Sequence, residues 1–376
     1  MAGEVSLDQV LMSPVVTRVI STIKTPQSLL TSYFGARPGG PNSNPVGGHH
    51  TGWDIFDRTR TIAHGRAPGT GPGTITPQVV GHVTAQIYRA HEKMMLLDEK
   101  LHRKRALGAN WGTIDSRGQR YITAQEGYMA QRFLNSREFM LSRMLRGGFD
   151  LLQSGDDWIA VDIGSGTFTI DYQVPSGNKS KLNMLGAGDI IGTSWDDAAA
   201  DVIGDCFAIN KAFEQLHGRP LRHVWVNSTV MGYLLVNTGL KNAAGTANVT
   251  FSEFAPRNFT GPDGVQDTGF EVIFRGLPWL RFHVYDAGLD VNGTYTQFFD
   301  DTHATFLPDI DATWFEMHEG SEIVRENVLD PGTERYGLSA WVEPHTQPAG
   351  FEMISVDNCL PVLYVPKCVA YGTVVY

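Results

Sequence analysis

An α+β fold is predicted from three observations. Residues 38–89 form an extended segment rich in Gly and Pro. Residues 123–147 carry the pattern of one long amphipathic helix. The remainder reads as a β-rich body that ends in closely spaced short strands. No stretch gathers the polar chemistry of a catalyst in one place.

The elements follow in chain order. Residues 1–33 mix apolar and polar residues, are interrupted by Pro14 and Pro26, and read as an arm that gains order on a neighbour. Residues 35–52 (GARPGGPNSNPVGGHHTG) are a turn-rich connection. Residues 53–62 and 79–88 read as two strands of a long hairpin, with residues 66–77 (RAPGTGPGTITP) as its tip. An isolated hairpin is marginal in water, so this one requires support from its own body or from another chain. Residues 92–107 read as an amphipathic helix.

The long helix is expected to start at the capping box Thr123-Ala124-Gln125-Glu126 and to stop at Gly147-Gly148. Met129, Phe133, Leu134, Met140, Leu141, Met144 and Leu145 make its apolar stripe, and its length is about 37 Å. Residues 158–174 are strand material. A second capping box, Ser194-Trp195-Asp196-Asp197, predicts a helix to His217 that Gly218 and Pro220 end. A short buried strand at residues 222–226 precedes a helix capped by Asn227 and closed by Gly239. Residues 280–285 and 294–299 read as strands flanking the turn at Asn292-Gly293, and residues 323–376 hold several more.

Composition narrows the function. The chain has 376 residues, enough for one large core or two domains, and 42% hydrophobic content makes it globular. A net charge of -10 argues against a protein that wraps nucleic acid, which needs dense Lys and Arg. Only 19% of residues are charged, which suggests that much of the surface faces other protein. Cys206, Cys359 and Cys368 are too few for a disulfide framework, so a reducing compartment is expected and the three read as small buried hydrophobes. The opening MAGEVSLDQVLMSP lacks a secretory leader pattern, and no run of about 18 apolar residues predicts a membrane helix.

The usual catalytic signatures are missing. Walker A, Gly-x-Ser-x-Gly and His-Glu-x-x-His patterns do not occur; His91-Glu92 is followed by Met95 where a second zinc ligand belongs. Residues 162–167 (DIGSGT) could cradle a phosphate on backbone N–H groups, but strand-like residues follow where a helix should begin, so a hairpin turn is expected. His49, His50, His64, His82, His91 and His102 have no metal-ligand spacing. The pairs Asp156-Asp157, Asp196-Asp197 and Asp300-Asp301 invite a carbohydrate-acting hydrolase, yet adjacent residues of a strand point to opposite faces, so structural roles are expected. No catalytic residue, cofactor or metal site is assigned.

The order of parts resembles the major capsid proteins of tailed phages, in particular the phage lambda major head protein family. Residues 132–147 (RFLNSREFMLSRMLRG) are similar to that family's spine helix. Trp195 with the following helix, and residues 230–237, resemble its axial-domain helices. Val284-Tyr285-Asp286, then Asn292-Gly293, then Phe306-Leu307-Pro308-Asp309 resemble a Tyr-Asp strand, Gly turn and Leu-Pro-Asp step.

The resemblance implies an HK97-like capsid fold. Residues 1–51 would be an N-terminal arm, 52–91 an extended loop, 92–191 a peripheral domain with the spine helix, 192–320 an axial domain, and 321–376 C-terminal strands returning to the peripheral domain. It further implies a non-enzymatic major head protein, whose many copies form pentamers and hexamers and close into an icosahedral shell around double-stranded DNA, without sequence-specific binding. A separate scaffolding protein, a portal and a decoration protein would be partners, with assembly in the host bacterial cytoplasm and residence in the virion capsid. Expected self-assembly contacts are Trp53, Ile55 and Phe56 at the loop base, Arg66 at its tip, and Arg137 and Glu138 on the spine. The other readings are a β-rich carbohydrate-acting hydrolase and a phage tail or baseplate protein.

Overall fold

A computed structural model describes residues 5–6, 28–56, 79–97, 113–114, 116–155, 157–243, 256–260, 266–291, 293–324, 332–346 and 349–376. Two large hydrophobic clusters organise it. The first joins the arm, the long helix and the C-terminal strands through Phe34, Phe139, Met144, Trp314, Phe315 and Leu360. The second lies around a seven-stranded sheet and its helices, through Trp195, Cys206, Phe213, Val224, Phe282 and Phe306.

The long helix runs Ser116–Arg146, 31 residues and about 46 Å. It starts seven residues before the expected capping box. Ile122 is buried within the early turns and Thr123 is exposed in mid-helix, so the apolar stripe overrides the local cap signal. The stop is as expected: Gly147 follows with φ 106, where a side chain would be strained. Met129, Ala130 and Phe133 pack onto Leu338, Ala340 and Met353 of the sheet beneath.

That sheet has six strands. Ala349–Leu363 pairs antiparallel with Leu338–Thr346, Phe315–Val324 and Tyr88–Leu97; Thr333–Tyr336 and Ser43–Val46 flank Phe315–Val324. Tyr88–Leu97 corrects the helix expected at 92–107, whose remaining residues lie outside the described ones. Glu, Lys, Met and Leu favour a helix locally, but a ten-residue ladder with Ala349–Leu363 wins. Its exposure alternates: His91 and Lys93 face solvent, while Met94 packs against the long helix cluster and Leu96 is buried.

The hairpin is present, with His50–Phe56 antiparallel to Val79–Gln86. Its expected tip lies outside the described residues. A three-stranded sheet places Gly148–Ser154 between Asp157–Val161 and Phe168–Asp171. The two outer strands do not pair with each other, so residues 162–167 cross over the central strand and the expected hairpin turn is corrected.

The seven-stranded sheet has His223–Val226, wholly buried, near its centre. It is parallel to Arg281–Val284 and antiparallel to His303–Leu307. The helix expected from Ser194 begins only at Val202, where Asp201 accepts from the Gly204 N–H. Residues 194–197 form a turn, and Trp195 still reaches the same core by donating to Asp205. Gly218 ends the helix in the left-handed conformation, as expected. Asn227 caps Ser228–Val236, but Gly239 does not close it, because Asn237 caps a further helix, Thr238–Ala243. The turn at Gly293 joins Gly288–Val291 to Thr294–Gln297, so Arg281–Val284 is not its partner strand. The last strand, Ala370–Thr373, leaves the C-terminal group and joins the seven-stranded sheet.

Candidate assembly interface

The geometry of the arm begins with a short helix, Leu29–Tyr33, whose residues are all buried. Its first N–H groups have no partner within the helix. Glu138, about two turns before the end of the long helix, supplies one. Its Oε1 accepts from Leu30 N at 2.7 Å and its Oε2 from Thr31 N at 2.7 Å and from the Thr31 hydroxyl at 2.5 Å. The Tyr285 hydroxyl donates to Oε1 at 2.8 Å. One carboxylate therefore joins the arm, the long helix and the seven-stranded-sheet region. Burial pushes the Glu138 carboxyl up to about 7, against the opposing pull of these four donors.

Arg137, the preceding residue, points to the other side of the same junction. Its Nε and Nη2 donate to the two oxygens of Asp357 at 2.7 and 2.6 Å. Its Nη1 donates to Ala36 O at 2.8 Å, and Nη1 and Nη2 both reach Glu319 at 3.1 Å. Gly39 N and the Ser43 hydroxyl also donate to Glu319, each at 3.2 Å. Burial alone would weaken the hold of the guanidinium on its proton; Asp357 and Glu319 outweigh it and keep the group firmly charged. Arg137 and Glu138 thus lie wholly inside the subunit and bind its own arm, although the sequence suggests an exposed spine surface. Truncating either would compromise the subunit itself.

The hairpin base is built by alternation. Thr51, Trp53 and Ile55 face inward with Ala85 and Ile87, and the Trp53 ring lies 6.0 Å from Tyr172. The Thr51 hydroxyl meets His318 Nδ1 at 2.6 Å. Phe56 N donates to Tyr364 O at 2.9 Å, yet its side chain is 45% exposed where the strand leaves the body. On the outer face His82 pairs with Asp54 at 2.7 Å. Among the expected contact residues, Trp53 and Ile55 are therefore anchors, Phe56 is presented outward, and Arg66 lies outside the described residues.

The other candidate chemistry resolves into structure. Residues 162–167 do form a nest of backbone donors, but Asp150 occupies it: its Oδ2 accepts from Gly164, Ser165 and Gly166 N at 2.7, 3.1 and 3.0 Å. Gly166 allows this approach, since a Cβ there would lie 2.3 Å from Asp150 Cβ. Asp300 accepts from Arg146 and Tyr371, Asp301 from Asn227 and Thr229, and Asp197 from Ala199 N. Cys206, Cys359 and Cys368 are buried thiols outside any disulfide. Among the described residues no three His, Cys, Asp or Glu side chains gather as a metal site.

Glu319 and Asp357 are the junction residues that the sequence did not single out, and Tyr285 enters the sequence pattern only as part of the Tyr-Asp strand motif. One signal existed for the two carboxylates: by strand alternation Glu319 shares a face with Phe315 and Met317, and Asp357 shares one with Met353 and Cys359. A carboxylate on such a face requires a buried cation.

Comparisons agree with this architecture. The family model described as phage major capsid protein E matches residues 15–374. No curated protein sequence matches the chain. A prophage protein of E. coli CFT073 assigned as a capsid protein is similar in structure, with TM-score 0.56 and 14% identity over 99% of this chain and 100% of that one. A phage-related protein of Bordetella bronchiseptica RB50 has TM-score 0.53 and 10% identity over 97% of each chain. With its long helix, hairpin and two strand-rich bodies, the chain belongs to the phage major capsid protein E family and is a capsid shell subunit of the HK97-type fold.

Proposed function

We propose that many copies of this chain, as pentamers and hexamers, close into an icosahedral shell around double-stranded DNA. The role is mechanical, with no catalysis. Residues 192–320 act as the axial domain around the five- and six-fold centres. Residues 92–191 act as the peripheral domain, with the strands of residues 321–363 returning to it. Residues 52–91 form the loop that lies over the adjacent subunit's spine region. A closed shell requires the same patches to meet repeatedly, which suits a subunit whose reaching element is fixed at one end.

One observation carries this reading: the hairpin is anchored through Trp53 and Ile55 at its base, while Phe56 turns outward as the strand departs. A scaffolding protein, a portal and a decoration protein act as separate partners. Assembly occurs in the host bacterial cytoplasm and the product resides in the virion capsid.

Electron microscopy of the chain co-expressed with its scaffolding protein tests the proposal. Closed shells of uniform diameter are expected. Tubes would favour a tail component, and persistent monomers that hydrolyse a polysaccharide would favour the hydrolase; either result would overturn it.

A further inference from the structure

The far end of the arm helix rests on a pair of histidines that the shell architecture leaves unexplained. His223 and His283 lie on the adjacent parallel strands His223–Val226 and Arg281–Val284, where Trp225 is in register with His283. Their rings therefore share one face of the sheet. His223 Nδ1 lies 2.9 Å from His283 Nε2, and His223 Nε2 lies 3.0 Å from Asp309 Oδ1. Trp225 stacks on His283 at 4.6 Å. Tyr33, the last residue of the arm helix, closes the face, with ring centroids 5.1 Å from His223 and 5.5 Å from His283.

The hydrogen bonds dictate the protonation states. Asp309 is an acceptor, so His223 carries its proton on Nε2 and leaves Nδ1 as an acceptor. His283 then donates from Nε2 to that atom. A first added proton can be accommodated on His223 Nδ1, giving an imidazolium whose Nε2–H faces Asp309, if His283 changes tautomer. A second cannot: both facing nitrogens would then be donors, 2.9 Å apart, in a site closed by Tyr33 and Trp225.

We propose that the His223–His283 pair is a proton-sensitive latch beneath the arm, seating Tyr33 when neutral and releasing the arm helix from the sheet when doubly protonated. The surrounding charges set its sign. Burial lowers the proton affinity of both rings; Arg281 opposes protonation of both and Arg222 opposes it at His223. Asp309 alone favours it at His223. Glu271 faces Arg281 at 3.8 Å and so tempers that cation, and Tyr33 is un-ionised because burial raises its hydroxyl. Glu138 titrates at the opposite end of the arm helix and must be separated from the pair.

Hydrogen exchange of the peptide covering residues 28–36 in the full-length subunit, corrected for intrinsic rates, makes that separation. The variant His283→Gln keeps a donor toward His223 but cannot take the second proton. Glu138 titrates alike in both proteins, so the variant-to-wild-type ratio of protection isolates the histidines. That ratio is expected to rise about ten-fold or more between pH 7.5 and pH 5.0. A ratio constant within about two-fold overturns the latch. Should His283→Gln fail to fold, His283→Asn gives a second reading, because it too cannot take the second proton. Its ratio should also rise on acidification, and a flat or falling ratio overturns the proposal.

Discussion

Arg137 and Asp357 meet through two parallel hydrogen bonds of 2.6 and 2.7 Å, with the arginine fully enclosed and the aspartate 1% exposed. They lie on different elements, the long helix and the longest strand of the sheet beneath it, and Ala36 O shares the same guanidinium. The pair therefore fixes the helix to the sheet and the arm to both.

Removing the cation should be severe. Arg137→Ala leaves Asp357 and Glu319 buried without it, and losing one partner of such a group typically costs about 3–5 kcal/mol. The expected outcome is a subunit that unfolds at markedly lower denaturant, with any assembly defect following from that. Arg137→Lys should recover only part, since an ammonium cannot make the paired contact with Asp357. A full recovery by lysine, or a loss under about 1 kcal/mol on truncation, would contradict the network.

Glu138 makes a pH prediction. Its carboxyl is pushed up to about 7 from an ordinary value of 4.5, so the folded state holds the proton more tightly than the unfolded one. Its contribution is therefore greatest below pH 4.5 and declines as pH rises through 7. Glu138→Gln removes this slope, and it also turns an amide toward a backbone N–H of Leu30 or Thr31, which costs about 1–3 kcal/mol. The difference in unfolding free energy between the two proteins, measured from pH 4 to 8, should fall with rising pH. A flat difference would refute the assignment.

Asp150 has the opposite sign. Burial would raise its carboxyl, but the Thr169 hydroxyl and the N–H groups of Gly166, Gly164 and Ser165 hold it below the ordinary range. Its stabilisation is present above the unfolded value and disappears as pH falls through the folded one. Asp150→Ala should open residues 162–167 to proteolysis at neutral pH, while Asp150→Asn, which keeps an acceptor, should protect them partly. Equal cleavage of all three proteins would show that the nest does not depend on this side chain.

Much of the fold was legible because hydrophobic period and breaker residues act locally. The stripe from Met129 to Leu145 and the stop at Gly147 predict the long helix, and the strand-like runs at residues 53–62 and 79–88 about a Gly/Pro-rich tip predict the hairpin. What misled were local signals that a distant partner overrules. Residues 92–97 have helical composition but pair with a strand more than 250 positions away. The cap at Ser194 is displaced because Trp195 is drawn into the core by Asp205. The junction was half legible: Arg137 and Glu138 stand out on the spine, but their burial depends on Asp357, Glu319 and the arm helix, whose approach no local pattern records.

The hairpin separates folding from assembly. Trp53 is buried against Tyr172, so Trp53→Ala should cost about 3–5 kcal/mol and loosen the base. Phe56 is half-exposed, so Phe56→Ser should change subunit stability by less than about 0.5 kcal/mol yet lower the yield of closed shells. Thermal unfolding of the unassembled subunit, with particle counts by microscopy, distinguishes the two. Normal shell yield from the Phe56 variant would remove that residue from the contact between subunits.

Gly337 offers a test of how tightly Glu319 is held. It has φ +64, and a Cβ there would lie 2.6 Å from Glu319 Cδ. Gly337→Ala should therefore combine about 1–3 kcal/mol of backbone strain with displacement of Glu319 from Arg137. Truncating Glu319 to alanine removes the atoms in the way, so the same substitution in a Glu319→Ala background should cost the strain alone. The two changes are then non-additive, with a coupling of about 1 kcal/mol or more in a double-mutant cycle. Strict additivity would mean that the glutamate relaxes freely and that its place beside Arg137 does not depend on the missing side chain at position 337.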